Sequence, residues 1–173
     1  MSIINYDLKK INAFIFDVDG VLSRQTMSIS PDGEPLRTAN IKDGYAIHMA
    51  VKCGYGVAII TGGNSPAVRA RFELLGMKDI YMKSSIKIID FEDYLQKNGY
   101  RPEEVAYVGD DIPDYPVMCR AGLPIAPIDA APEIKAVATY ISPVRGGEGV
   151  ARDVIEQVLK VQGKWMDEEA FGW

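Results

Sequence analysis

The chain has few of the residues that disulfide, thiolate or histidine chemistry needs, with two cysteines and one histidine among 173 residues. Cys53 and Cys119 are far apart and form no Cys-x-x-Cys pair, so we expect reduced thiols in a cytoplasmic protein. His48 lies on a predicted amphipathic helix, and Ser/His/Asp chemistry has no second histidine available. We therefore assign His48 a structural role.

Long apolar runs and excess positive charge are also lacking. Every apolar run is shorter than the ~18 residues that span a membrane, and residues 1–10 lack the apolar centre of a secretory signal. The formal charge of −5 argues against a basic face for a phosphate backbone, and so against nucleic acid as a partner. A small anionic substrate is not excluded, because a local group of Lys, Arg and Mg²⁺ can hold a phosphate.

Short apolar stretches alternate with helical patterns along almost the whole chain. Strands are predicted at 11–16, 56–61, 80–82, 105–108, 123–126 and 139–142. Helices are predicted at 43–53 with Asp43 as N-cap, and at 65–75, 86–98, 113–120, 132–137 and 148–161. The alternation predicts an α/β fold, a parallel sheet with helices on both faces. Apolar residues are 47% of the chain, which is enough for one core in a single domain.

Two segments do not fit this alternation. Segment 23–41 has two extended stretches around a Pro31-Asp32-Gly33 turn, which predicts a β-hairpin flap. Beyond a core of residues 1–161, the tail 162–173 carries aromatic side chains at Trp165, Phe171 and Trp173. Docking of these rings on a neighbouring subunit is one interpretation, and a frayed end is the other.

Two carboxylates directly follow the first predicted strand. The apolar run 11–16 ends in Asp17-Val18-Asp19-Gly20. Ligands of open α/β sheets bind at the carboxyl ends of the strands. Two unpaired carboxylates repel each other at such an edge, so the pattern predicts a hard divalent cation with oxygen ligands.

Three more polar clusters come later in the chain. Thr61-Gly62-Gly63 ends the second strand, Lys87 begins a helix, and Gly109-Asp110-Asp111 with Asp114 follows a later strand. If these strands are parallel neighbours, the clusters meet at one edge of the sheet. Taken singly, each pattern also fits a turn, a helix cap or a solvated surface residue. Their conjunction in this order favours one shared site.

The acidic residues of these clusters suit phosphoryl transfer. Asp17 can act as a carboxylate nucleophile that forms an acyl phosphate. Asp19 can protonate a leaving alkoxide and then deprotonate water. Asp110 can complete a Mg²⁺ site with Asp17, so that the cation screens the nucleophile from the phosphate.

The other candidates suit substrate binding. The Thr61 hydroxyl and the N–H groups of Gly62 and Gly63 can bind phosphate oxygens, and Lys87 can place a positive charge beside them. The Arg145 guanidinium, next to the glycine-rich loop 146–149, suits a substrate carboxylate. A flexible turn before the last helix is the alternative interpretation of that loop.

The motifs resemble those of the haloacid dehalogenase-like phosphatases: Phe-Asp-Val-Asp-Gly-Val at 16–21, Ile-Thr-Gly at 60–62, Lys87, and Gly-Asp-Asp-x-x-Asp at 109–114. One branch, the 3-deoxy-D-manno-octulosonate 8-phosphate phosphatases, is similar nearly end to end. That similarity includes Asn-Ile-Lys-Asp-Gly-Tyr at 40–45 and Gly-Gly-Glu-Gly at 146–149. It implies a single-domain Rossmann-like sheet with a hairpin flap and no large cap domain.

The resemblance also implies roles for individual residues. Asp17 would be the nucleophile and Asp19 the acid/base, while Thr61 and Lys87 would bind the phosphate. Mg²⁺ would sit on the Asp17 carboxylate, the Asp19 backbone carbonyl and the Asp110 carboxylate. The side chains that would orient the metal waters and Lys87 are Asp111 and Asp114.

The implied reaction is hydrolysis of a small phosphorylated sugar acid, 3-deoxy-D-manno-octulosonate 8-phosphate. The implied assembly is a homotetramer whose hairpins and tails close the sites of neighbouring subunits. A nine-carbon sugar-acid 9-phosphate, of the KDN or N-acylneuraminate type, is the alternative substrate. A phospho-aspartate receiver is the alternative from another class of protein. In a receiver the phosphorylated Asp is expected on a middle strand, after an acidic pair on the first strand. In this chain the middle strand ends in Thr61 and the second acidic pair comes late, so the order disagrees. The Ser23-Arg24-Gln25 stretch departs from the branch, and Gly63 lies where related sugar-acid phosphatases differ in side chain.

Overall fold

A parallel sheet organises the chain in a computed structural model that describes residues 4–172. In chain order the strands are β1 (Ala13–Phe16), β2 (Ser28–Ile29), β3 (Pro35–Leu36), β4 (Gly56–Ile60), β5 (Asp79–Tyr81), β6 (Val105–Val108), β7 (Leu123–Ala126) and β8 (Tyr140–Ile141). Six of them form the sheet, in the order β5-β4-β1-β6-β7-β8. Every pairing within this sheet is parallel, as the sequence predicted.

Helices cover both faces of the sheet. They are α1 (Ile41–Lys52), α2 (Pro66–Leu74), α3 (Lys87–Asn98), α4 (Tyr115–Arg120), α5 (Pro132–Val137) and α6 (Val150–Val161). Short 3₁₀ turns lie at Leu8–Lys10, Pro102–Glu104, Ile112–Asp114 and Glu168–Phe171. Within the described residues no helix is both long enough and apolar enough to cross a bilayer.

Strand β1 is apolar throughout because both of its faces are covered. Phe14 and Phe16 point into a core layer with α1, α2 and α6. Ala13 and Ile15 point into the opposite layer with α3, α4 and α5. Side chains of a strand alternate between faces, so a central parallel strand is apolar at every position. The strand therefore carries its first polar side chain, Asp17, only where it leaves the core.

The first helix begins differently from the prediction. Asn40, not Asp43, is its N-cap, and the Asn40 side chain accepts hydrogen bonds from the N–H groups of Lys42 and Asp43. The Asp43 carboxylate is buried instead, and it accepts a hydrogen bond of 2.7 Å from the backbone N–H of Arg152 at the start of α6. Burial raises the pKa of Asp43 to about 6. Asp43 thus joins the starts of two helices rather than beginning one.

The predicted flap is a hairpin of two short antiparallel strands. Ser28 pairs with Leu36 and Ile29 with Pro35. The side chains of Ile29 and Leu36 are 65% and 54% exposed. At the base of the flap, the Thr38 N–H donates to Ser23 Oγ at 2.9 Å, which fixes the returning strand to the loop after β1.

The described part of the tail lies on its own chain. The Gln162 side chain donates to the backbone carbonyls of Leu8 and Ile11 at 2.9 and 2.8 Å. The Trp165 ring lies 4.6 Å from the Arg152 guanidinium carbon. Phe171 is 74% exposed, and the predicted docking of Trp173 lies outside the described residues.

The capping role of Asn40 can be tested by substitution. We expect Asn40→Ala to lower the free energy of unfolding by about 1 kcal/mol, because two N–H groups at the start of α1 lose their acceptor. Chemical denaturation at fixed protein concentration measures this. Asn64→Ala, at an exposed position before the next helix, is the matched control and should change stability much less. Equal losses in both variants would contradict the capping assignment.

Candidate active site

Three neighbouring strands deliver the predicted site residues to one edge of the sheet. Phe16 of β1 pairs with Ile59 of β4 on one side and with Val108 of β6 on the other. Asp17 follows β1, Thr61 follows β4, and Asp110 follows β6, two residues beyond the strand's end at Val108. Their positions along the parallel strands agree to within one residue, so these residues meet at the carboxyl edge. They line a cleft of about 690 Å³ together with Asp19, Gly62, Gly63, Lys87, Asp111 and Asp114.

Lys87 is held between two carboxylates. It is the first residue of α3, and its Nζ lies 2.9 Å from Asp17 Oδ2 and 2.7 Å from Asp114 Oδ1. Burial alone would lower the pKa of Lys87, but Asp17 and Asp114 raise it above the ordinary value. The ammonium is therefore charged and points at the nucleophile candidate, where it can meet phosphate oxygens.

Asp114 is bound by donors on all sides. It is 0% exposed, and it accepts hydrogen bonds from Lys87 Nζ, from the Tyr107 hydroxyl at 2.6 Å and from the Asp110 N–H at 3.0 Å. These donors use most of its acceptor capacity. Its side chain therefore orients Lys87 and the loop after β6. Sequence reasoning missed Tyr107, because a tyrosine inside an apolar strand looks like a core residue.

The carboxylates of Asp17 and Asp110 have the chemistry of a cation site. Oxygens of Asp17, Asp110 and Asp114 lie within 4.8 Å of one another. Burial, together with the charge on Asp114, raises the pKa of Asp17 to about 7. Burial and the charge on Asp17 raise the pKa of Asp110 to about 8. A divalent cation between Asp17 and Asp110 would remove this repulsion, so the donor set fits a hard metal such as Mg²⁺.

Asp19 has a partner that the sequence did not indicate. Arg37, on the return arm of the hairpin, donates from Nε to Asp19 Oδ1 at 2.7 Å and from Nη2 to Asp19 Oδ2 at 2.8 Å. The hydrogen bond to Asp19 raises the pKa of Arg37. No motif marks Arg37; the available signal was a basic residue on the strand returning toward an acidic cluster.

The Thr61-Gly62-Gly63 turn lines the same cleft as Asp17. Thr61 is 2% exposed, and its Oγ1 accepts a hydrogen bond of 3.2 Å from the Gly63 N–H. The Thr61 carbonyl accepts from the N–H of Ser84. Ser84 and Ser85 also line the cleft, and sequence reasoning missed both.

Arg145 does not line this cleft. Its side chain is 66% exposed and lies 3.9 Å from Asp129 Oδ2. Asp129 does line the cleft, as does Gln25, which donates to the Asp129 carbonyl at 2.9 Å. The Arg145 side chain therefore lies beside Asp129 at the border of the cleft. A contact between Arg145 and the substrate remains a prediction. Gln25 and Asp129 were missed because they lie on loops without a motif.

Comparisons with known proteins agree with this geometry. A family model described as haloacid dehalogenase-like hydrolase matches residues 64–154. The 3-deoxy-D-manno-octulosonate 8-phosphate phosphatase of Escherichia coli strain K12 is 42% identical over 156 residues, covering 90% of this chain and 83% of that protein. The chain therefore belongs to the haloacid dehalogenase-like hydrolases. Its similarity to that relative places it in the predicted branch of the family.

Solved structures of this branch have the same fold. The enzyme of Moraxella catarrhalis, in complex with a magnesium ion, a phosphate ion and a KDO molecule, is 32% identical with a TM-score of 0.87 and 91% coverage of both chains. The cobalt-bound enzyme of Haemophilus influenzae is 30% identical with a TM-score of 0.89, covering 95% of this chain and 98% of that one. The predicted fold class, family and enzyme class, a phosphatase, are confirmed.

Gly20 gives this hydrolase site room for Asp110. A Cβ at Gly20 would lie 1.9 Å from Asp110 Oδ2. We expect Gly20→Ala to weaken Mg²⁺ binding roughly 10- to 100-fold, because it displaces the Asp110 carboxylate. Calorimetric titration with Mg²⁺ measures the change.

Gly54→Ala is the matched control for that experiment. The two glycines have φ values of +86° and +85°, so alanine strains the backbone equally at both, but nothing lies within 4 Å of a Cβ at Gly54. Gly54→Ala should lose stability and keep its affinity for Mg²⁺. A similar loss of affinity in both variants would assign the effect to backbone strain.

Proposed function

We propose that this protein is a Mg²⁺-dependent phosphomonoesterase whose substrate is 3-deoxy-D-manno-octulosonate 8-phosphate. The observation that carries the proposal is the Asp17 carboxylate, which follows the central strand and pairs with Lys87 at the base of the acidic cleft. The substrate follows the 42% identical relative from Escherichia coli and the relative from Moraxella catarrhalis that holds phosphate and KDO. A partner of this size fits a cleft of about 690 Å³.

The chain's own residues supply both chemical steps. Asp17 attacks phosphorus, the bond from phosphorus to the sugar oxygen breaks, and Asp19 donates a proton to that oxygen. Water then attacks the aspartyl phosphate, Asp19 takes its proton, and Asp17 is released with inorganic phosphate. Lys87 and the Thr61 hydroxyl bind phosphate oxygens and stabilise the charge that they carry in both transition states.

The metal has a defined place in this proposal. The carboxylates of Asp17 and Asp110 would hold it, with the Asp19 backbone carbonyl as a further ligand. Bound Mg²⁺ supplies a positive charge that lets the anionic nucleophile approach an anionic phosphate. Asp111 and Asp114 support the site from the same loop, and the Asp111 N–H donates to Asp114 Oδ2 at 3.4 Å.

Replacement of the nucleophile tests the reaction. We expect Asp17→Asn to lower the rate of phosphate release from 3-deoxy-D-manno-octulosonate 8-phosphate roughly 10⁴-fold or more, because an amide cannot form the covalent intermediate. Phosphate release is measured with and without Mg²⁺. The control Asp93→Asn removes a carboxylate of α3 that binds the Tyr81 hydroxyl, and it should retain the activity of the unmodified protein.

The same assay separates the alternatives. Retained turnover in Asp17→Asn would overturn the nucleophile assignment. A higher kcat/KM with a nine-carbon sugar-acid 9-phosphate than with the eight-carbon substrate would correct the substrate. Release of no more than one phosphate per chain would indicate a phospho-aspartate receiver rather than an enzyme.

The predicted homotetramer and the closure of its sites by neighbours also belong to this proposal. Apolar side chains lie exposed on the hairpin and at the start of α1: Ile29 (65%), Leu36 (54%) and Ile41 (74%). A two-stranded hairpin is marginal alone, and burial against a partner would stabilise it. Exposed Phe171 gives the tail an apolar group for the same partner.

A charge on the hairpin tests the assembly. We expect Ile29→Lys to shift the protein from a tetramer to smaller species in sedimentation analysis, because a buried ammonium at the interface would be desolvated without a partner. Ile89→Lys on α3 is the control, since Ile89 is 62% exposed on the other side of the sheet. A single species of unchanged mass in Ile29→Lys would contradict hairpin assembly.

We further propose that the enzyme works in the cytoplasm. Cys53 and Cys119 both lie within the described residues, and no disulfide joins them. Thiols of this kind persist in a reducing compartment. The cytoplasm would supply the small phosphorylated sugar acid that the enzyme hydrolyses.

A further inference from the structure

The Arg37–Asp19 pair joins the return arm of the hairpin to the acid/base candidate of the cleft. Its two hydrogen bonds, of 2.7 and 2.8 Å, form a fork that engages both carboxylate oxygens. The side chains are 11% and 33% exposed. A bidentate guanidinium–carboxylate pair fixes direction as well as distance, so Arg37 restricts the rotation of the Asp19 carboxylate.

The backbone on either side of Arg37 is also held. Its Nη1 donates to the Pro35 carbonyl at 3.4 Å. Thr38, the next residue, accepts a hydrogen bond from the Arg24 N–H at 3.1 Å and donates its own N–H to Ser23 Oγ. Because the loop that bears Asp19 is tied to the segment after β3 that bears Arg37, the two side chains keep a fixed relative position.

Gly63 leaves the space that the guanidinium occupies. A Cβ at Gly63 would lie 2.8 Å from Arg37 Nη2 and 3.3 Å from its Cζ. The φ of Gly63 is not in the left-handed region, so the backbone itself admits alanine there. An alanine would therefore act chiefly by pushing the Arg37 fork away from Asp19. This gives a physical reason for a glycine at this position.

We propose that Arg37 is a positioning residue that aims Asp19 in the reaction, and that Gly63 determines whether Arg37 can do so. The inference rests on the proposed phosphatase function. A carboxyl group has about four lone-pair sites, and the fork uses two of them. One of the remaining sites carries the proton that Asp19 gives to the leaving oxygen and then takes back from the attacking water. Because Arg37 lies on the hairpin, its two hydrogen bonds to Asp19 make the flap part of the catalytic apparatus.

The first experiment measures kcat and KM separately for Arg37→Met and Arg37→Lys. General acid–base catalysis contributes about 10²- to 10⁴-fold, so loss of aim should lower kcat about 10- to 100-fold in Arg37→Met with KM nearly unchanged. Arg37→Lys keeps the charge and one hydrogen bond and should recover part of the rate. A raised KM with an unchanged kcat would make Arg37 a substrate ligand and overturn the proposal.

Double-mutant cycles show whether Arg37 acts through Asp19. In an Asp19→Asn background, Arg37→Met should cause little further loss, because the group that it aims is gone. Gly63→Ala should resemble Arg37→Met in the unmodified protein and add little in the Arg37→Met background. Independent, multiplying losses in either cycle would overturn the proposal.

The failure of this inference can be told apart from the failure of the proposed function. If the unmodified protein releases no phosphate from any sugar-acid phosphate, the proposed function fails. If the enzyme is active and the Arg37 and Gly63 variants are unaffected, only this inference is refuted.

Discussion

The buried Lys87 ammonium is the interaction on which the site depends. Asp17, Asp110 and Asp114 bring three carboxyl groups within 4.8 Å of one another at the edge of the sheet. Such a cluster is costly to bury when it is ionised, as the raised pKa values of Asp17 and Asp110 show. Lys87 offsets part of that cost through Asp17 and Asp114. A divalent cation between Asp17 and Asp110 would offset the rest, which would link metal binding to ionisation of the proposed nucleophile.

This constraint explains why the residues around the cluster are packed so closely. Asp114 accepts from Lys87, from the Tyr107 hydroxyl and from a backbone N–H, which leaves it little freedom to rotate. Gly20 passes so near to Asp110 that no side chain fits between them. Rigid support of this kind places catalytic groups before the substrate arrives, and electrostatic catalysis requires that placement.

Prediction from the sequence was reliable where the chain's own periodicity decides the structure. The apolar run before Asp17 and the strand–helix alternation predicted a parallel sheet, and in such a sheet the residues after β1, β4 and β6 share one edge. Lys87, at the start of the helix after β5, and Asp114, in the acidic cluster after β6, were predicted to lie at the same edge. Helix ends were less certain, since Asn40 and Asp43 are both good caps by residue type, and only packing against α6 assigns them different partners.

The contacts that sequence reasoning missed join segments far apart in the chain. Arg37 meets Asp19 across 18 positions, and Gln25 meets Asp129 across 104. No periodicity encodes such pairs, because they depend on where a hairpin and a loop come to lie after folding. The sequence by itself determined the order of strands and helices and the acids that follow the strands, since these are local properties of the chain. Only the tertiary structure decided which side chain faces which, because the hydrogen-bond partner of Asp19 is set by the packing of the flap.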